Sequence, residues 1–152
     1  MAHYMKHSKT AIGHLGKHYE RGKDESSEYV KFGNPEIDPQ RTHLNYNLAP
    51  QHNHMEFIKQ RLSEVYCLNR KDVNIMCSWV VTAPKDLEPL QQEDFFKESY
   101  KFLENRYGKE NVISSYVHLD ETTPHMHFAF IPVVYDLSLI HISEPTRLRR
   151  NS

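Results

Sequence analysis

Residues 118–127 read HLDETTPHMH, and they join two runs of β-branched and aromatic residues, NVISSYVHL at 111–119 and HMHFAFIPVVY at 125–135. Both runs have the composition of strands. The short connection from Asp120 to Pro124 leaves no room for a crossover, so the two strands must be antiparallel neighbours. Side chains two apart on a strand share a face. His125 and His127 therefore point one way, and Met126 and Phe128 point into the opposite layer. His118, close to the turn on the preceding strand, can come opposite this pair in an antiparallel arrangement. Three imidazoles converge on one point of a sheet surface.

Two histidines two apart are a weak signal, since a strand face often carries two polar residues. The third histidine, the two acids and the proline-closed turn make a metal site the stronger reading. Imidazole suits Zn²⁺, Mn²⁺, Co²⁺ and Ni²⁺ better than Mg²⁺, which prefers oxygen. Three protein ligands leave coordination positions open, as catalytic ions require. Asp120 and Glu121 stand in the turn, where a carboxylate can orient an imidazole or accept a proton. With no thiolate nearby, Lewis-acid activation of a phosphoryl oxygen or of a water is the natural chemistry.

Outward from the hairpin, residues 91–107 are the clearest helix, with Phe96, Tyr100, Leu103 and Tyr107 in one apolar stripe and Gly108 as its stop. That stripe is read as core. Residues 73–82 (VNIMCSWVVT) predict a buried strand ended by Pro84, and residues 54–69 a helix with Ile58, Leu62 and Val65 on one face. Residues 42–48 (THLNYNL) alternate like a strand, which places Arg41, His43 and Asn45 on one face. Residues 2–9 alternate poorly but suit a short strand. Residues 10–40 are polar and broken by glycine and proline, with a helical turn expected near His14–Arg21 and then a long loop. The order is α/β (α+β): a largely antiparallel sheet with helices packed on it.

The length of 152 residues fits one domain, and 38% hydrophobic content excludes a disordered chain. A net charge of −1 creates no global field toward nucleic acid. Locally, Lys6, Lys9, Lys17, Arg21 and Lys23 face only Glu20, which suits a phosphate backbone, although on charge alone a solvated N-terminal segment is the simpler explanation. Cys67 and Cys77 lack metal-ligand spacing and read as buried free thiols in a reducing compartment. No apolar run approaches a membrane span, and the N-terminus has no signal-peptide core. A soluble, cytoplasmic protein without membrane contact is expected.

Three stretches together, HLDETTPHMH at 118–127, RTHLNYNL at 41–48 and KHYER at 17–21, resemble the Mob/Pre family of plasmid mobilisation and recombination proteins, relaxases of the MobV type. The resemblance covers about residues 1–135. The histidine motif alone indicates only the wider group of HUH endonucleases. The resemblance implies a five-stranded antiparallel HUH-type sheet with helices on it, and a divalent metal, Mn²⁺ or Mg²⁺ with Mn²⁺ favoured, held by His118, His125 and His127. It implies cutting of one strand of single-stranded or hairpin DNA at a plasmid origin of transfer, with a covalent 5′-phosphate adduct. In this branch a histidine of the N-terminal motif is the proposed nucleophile. That role falls on His18, with Tyr19 as the rival and Tyr46 as a weaker one. Arg21 is placed to clamp the phosphate and Glu121 to take a proton. Lys17, Arg41, His43 and Asn45 are candidate DNA contacts, although a polar solvent face accounts for the last three equally well.

The competing readings are a tyrosine-dependent HUH replication initiator or transposase, a nucleic-acid-binding module with a structural metal, and a hydrolase acting through activated water. Residues 137–147 (LSLIHISEPTR) match the translation of a transposon adapter used in sequencing libraries. Leu137–Ser152 is therefore expected to be foreign, with 1–136 a shortened relaxase domain. On that expectation a C-terminal region, with any dimer contacts, lies beyond it. His141, Arg147, Arg149 and Arg150 are accordingly given no role.

Overall fold

The computed structural model describes residues 2–8, 37–65, 74–135 and 140–142. Five strands form one antiparallel sheet: β1 (Ala2–Ser8), β2 (Tyr46–Asn47), β3 (Asn74–Thr82), β4 (Val112–His118) and β5 (His125–Phe130). Their spatial order is β1-β3-β5-β4-β2, so the histidine strand β5 is central. Helix α1 (His54–Glu64) packs on one face and helix α2 (Pro89–Tyr107) on the other.

Period-two alternation divides the two layers. Met126, Phe128 and Phe130 join Phe96 and Leu103 of α2 in one core, while Ala129 joins Ile58 of α1 and Tyr116 in the other. Phe128 is fully buried, and its burial contributes about 1.5–3 kcal/mol. The expected stripe holds: Phe96 and Leu103 are buried, and Tyr100 and Tyr107 pack against them. Tyr107 stacks on Phe130 at 3.9 Å and accepts a 2.9 Å hydrogen bond from Trp79 Nε1. Pro89 opens α2, where no N–H is missed, and Glu88 N–H donates to Gln91 Oε1 at 2.9 Å. Gly108 closes it at φ 96°, where a Cβ would stand 2.8 Å from Glu110 Oε1.

Three expectations need correction. Residues 42–48 are not one strand: Thr42–Leu44 is a 3-10 helix, and only Tyr46–Asn47 pairs with β4. The strand expected over 125–135 ends at Phe130. Pro132 has no N–H to give a ladder, and the chain resumes as β6 (Val133–Tyr135), which pairs with β7 (Ile140–Ile142) in a separate ribbon. Helix α1 ends at Glu64 because Val65 is extended; the rest of the 54–69 stretch, with Cys67, lies outside the described residues. Of the stretch read as foreign, only Ile140–Ile142 is described, and Ile142 is buried in the α1-side core.

Candidate metal centre

His118 and His125 are direct cross-strand partners, and His127 is two residues further along β5. The three ring centroids lie 4.8–5.3 Å apart, on the α1 side of the sheet. One ligand nitrogen from each falls within 4.8 Å of the others, the one such group among the described residues. His118 is fully buried and His127 nearly so; His125 is partly exposed. A shared ion with bonds of about 2.1 Å draws its donors closer than this, and imidazole rotation covers the difference.

The donor set fits a catalytic ion. Nδ1 of His125 lies 2.9 Å from the carbonyl of Thr123, which fixes Nδ1–H as donor and leaves the Nε2 lone pair for a metal. Glu121 Oε1 stands 3.6 Å from that Nε2, so a carboxylate borders the open side.

The turn carrying these groups is held from both sides. Ala83 N–H donates to the carbonyl of Pro124 at 3.1 Å, and Asp38 N–H donates to the carbonyl of Asp120 at 2.7 Å. The Asp120 carboxylate, fully buried, accepts from Thr42 Oγ1 at 2.9 Å. Asp120 thus joins the second motif to the histidine turn. Local alternation carries no sign of this contact, although threonine and aspartate each stand in a quoted motif.

The other named residues fall as follows. Lys17, His18, Tyr19 and Arg21 lie outside the described residues. Asp38, among the first residues described after β1, lies beside Asp120. Arg41 and His43 are exposed, but the 3-10 helix keeps them and Asn45 off a common strand face. Asn45 Oδ1 accepts from Leu119 N–H at 2.7 Å, and Asn47 Oδ1 from Ser115 N–H at 2.9 Å, so amide side chains stitch β2 to β4. Tyr46 packs in the α2-side core, away from the triad, and burial raises its phenol above the ordinary value, with Glu93 adding to the effect. That position removes it as a nucleophile for a phosphate at the triad. Cys77 is free and buried. No helix among the described residues is long and apolar enough to cross a membrane.

A family model described as plasmid recombination enzyme (Mob_Pre) matches residues 1–142. The chain is 39% identical over 118 residues to plasmid recombination enzyme type 1 of Staphylococcus aureus, covering 72% of this chain and 29% of that protein. It is 34% identical over 137 residues to a plasmid recombination enzyme of Streptococcus agalactiae, covering 82% and 26%. Among solved structures it is similar to a MobM relaxase domain (MOBV; Mob_Pre) bound to plasmid pMV158 oriT DNA, a Mn-bound crystal form at pH 6.8. The TM-score is 0.76 at 28% identity, covering 99% of this chain and 79% of that one. The same domain bound to 26-nucleotide oriT DNA gives a TM-score of 0.65 at 25% identity, covering 92% and 71%. The chain thus spans under a third of the length of these curated relatives.

Proposed function

Because this chain belongs to the Mob/Pre family of plasmid recombination enzymes, we propose that it is the metal-binding end of a plasmid mobilisation relaxase. It nicks one strand of single-stranded or hairpin DNA at an origin of transfer by transesterification. The observation that carries the reading is the buried convergence of His118, His125 and His127 on one sheet face, with Glu121 at its edge.

His118, His125 and His127 would hold a divalent ion, Mn²⁺ before Mg²⁺ on the nitrogen donor set, and it would supply Lewis-acid stabilisation of charge at the phosphate. The chain's own residues do the rest. A neutral imidazole, with an ordinary pKa of about 6.5, is an available nucleophile at neutral pH. In the proposed step a nitrogen of His18 attacks phosphorus. The bond from phosphorus to the 3′ oxygen breaks, the 3′ oxygen leaves and takes up a proton, and the 5′ phosphate stays on the imidazole. Glu121 takes the ring proton of His18, and Arg21 clamps the phosphate bidentately. The bond to phosphate conserves the ester's energy, so the strand can be rejoined without ATP. Lys17, Arg41, His43 and Asn45 are assigned to strand contacts.

The test is nicking of a supercoiled plasmid that carries the cognate origin. We expect relaxation with Mn²⁺, none after chelation, and none with His127→Ala. Relaxation that persists in His127→Ala contradicts the assignment of the triad.

A further inference from the structure

A series of aromatic rings runs from the triad onto the first turn of α1. Tyr116 is the cross-strand partner of the ligand His127, and its ring lies 6.5 Å from that of His118 with the planes 24° apart. The His54 ring meets Tyr116 edge to face at 6.2 Å. His52 meets His54 edge-on at 5.9 Å and stacks flat on Phe57 at 4.4 Å, the planes 7° apart. Tyr116 is buried, whereas His54, His52 and Phe57 are partly exposed, so the series climbs from the sheet floor to the surface.

Packing alone does not call for this composition. Ile58 already plugs α1 into the core, with Phe57 and Leu62 against it. An imidazole is a costly seal for a helix start, because its nitrogens need partners. Nδ1 of His52 is buried with no hydrogen-bond partner among the described residues. What His52 and His54 add is partly exposed π surface, joined to Tyr116 and so to the triad by edge-to-face contacts. Unpaired bases use such surfaces, and histidine is among the side chains on which they stack.

We propose that His54, His52 and Phe57 form a stacking track for the unpaired bases that flank the phosphate held at the triad. The proposal rests on the relaxase reading and deepens it. It assigns the grip on the strand to base faces on α1, where it tolerates base identity, in addition to backbone charge.

The experiment uses the full chain with Mn²⁺ and single-stranded origin oligonucleotides carrying 2-aminopurine at each position flanking the nick in turn. Stacking quenches this base. We expect quenching at one or two adjacent positions, lost in His54→Ala and His52→Ala, with binding weakened roughly 5- to 150-fold. His54→Phe and His52→Phe should keep the quench. Phe57→Leu, which keeps apolar volume without a flat ring, should lose part of it and covers the case in which an alanine variant does not fold. Mn²⁺ titration should be unchanged throughout. Binding without quenching at any position overturns the track, as does a quench that survives both alanine variants. Equal loss in the alanine and phenylalanine variants also overturns it, because the imidazole then acts by hydrogen bonding or charge. A folded, Mn²⁺-loaded chain with no affinity for the oligonucleotide overturns the relaxase reading, and the track with it.

Discussion

The hydroxyl of Thr42 donates a 2.9 Å hydrogen bond to Oδ2 of Asp120, and both residues are buried although 78 positions separate them in the chain. Asp120 follows His118 of the histidine triad by two residues, so this contact sets how the second motif seats on the histidine turn. Thr42→Val keeps the side-chain shape but deprives a buried carboxylate of a donor. We expect a loss of about 1–3 kcal/mol in urea unfolding. Weaker Mn²⁺ binding, read by titration calorimetry, should accompany it. A variant as stable as the parent argues that the contact does not hold the turn.

Metal binding should be visible as stability. An ion that binds only the folded chain stabilises it by about 2.7 kcal/mol at a hundredfold excess over its Kd. Thermal melts with and without Mn²⁺ should separate for the parent chain and coincide for His118→Ala and His127→Ala. A Mn²⁺ shift of the same size in His127→Ala would place the ion elsewhere.

A second polar hub lies at the far end of the sheet. Asn111 is fully buried; its Oδ1 accepts from Arg61 Nε at 2.7 Å, and its Nδ2 donates to the carbonyl of Tyr107 at 2.7 Å and to Tyr135 Oη at 2.8 Å. Tyr135 in turn donates to Glu110, which holds that carboxyl below its usual range. Asn111→Leu strands a guanidinium nitrogen and a carbonyl together and should cost about 2–3 kcal/mol. Tyr135→Phe, at a half-exposed site, removes one partner of the Asn111 amide and should cost less, about 0.5–1.5 kcal/mol. Urea melts of the two variants check the ranking.

His7 should make the domain acid-sensitive. Its Nε2 lies 2.9 Å from the hydroxyl of the buried Ser78, and burial lowers its pKa from the ordinary 6.5. The unfolded chain then binds the proton more readily than the folded one. The stability from a neutral His7 is complete above about pH 6.5 and is lost as the pH falls through that value toward the lower folded one. His7→Gln should flatten this part of the stability curve between pH 7.5 and roughly pH 5. Parallel curves for the two chains would remove His7 as the cause.

The histidine hairpin is legible in the sequence because strand alternation has period two and the turn is short. His118, His125 and His127 can meet once the strands are antiparallel, and the register that pairs His118 with His125 brings them together. The α2 stripe is legible for the same reason at helical period. The alternation over 42–48 misleads, because Thr42 answers to Asp120 across the fold and not to its own neighbours. The break at Pro132 is visible in the sequence as a proline inside a strand run. Tyr116, His54 and His52 give no sign of meeting until the sheet and α1 bring them together.

We propose that covalent strand transfer starts from His18. Labelled single-stranded origin DNA, Mn²⁺ and a denaturing gel test it most directly, with the parent chain run beside His18→Ala and Tyr19→Phe. We expect a protein-linked 5′ fragment in the parent and in Tyr19→Phe, and none in His18→Ala. An adduct that survives His18→Ala and disappears in Tyr19→Phe would contradict it and assign the attack to tyrosine.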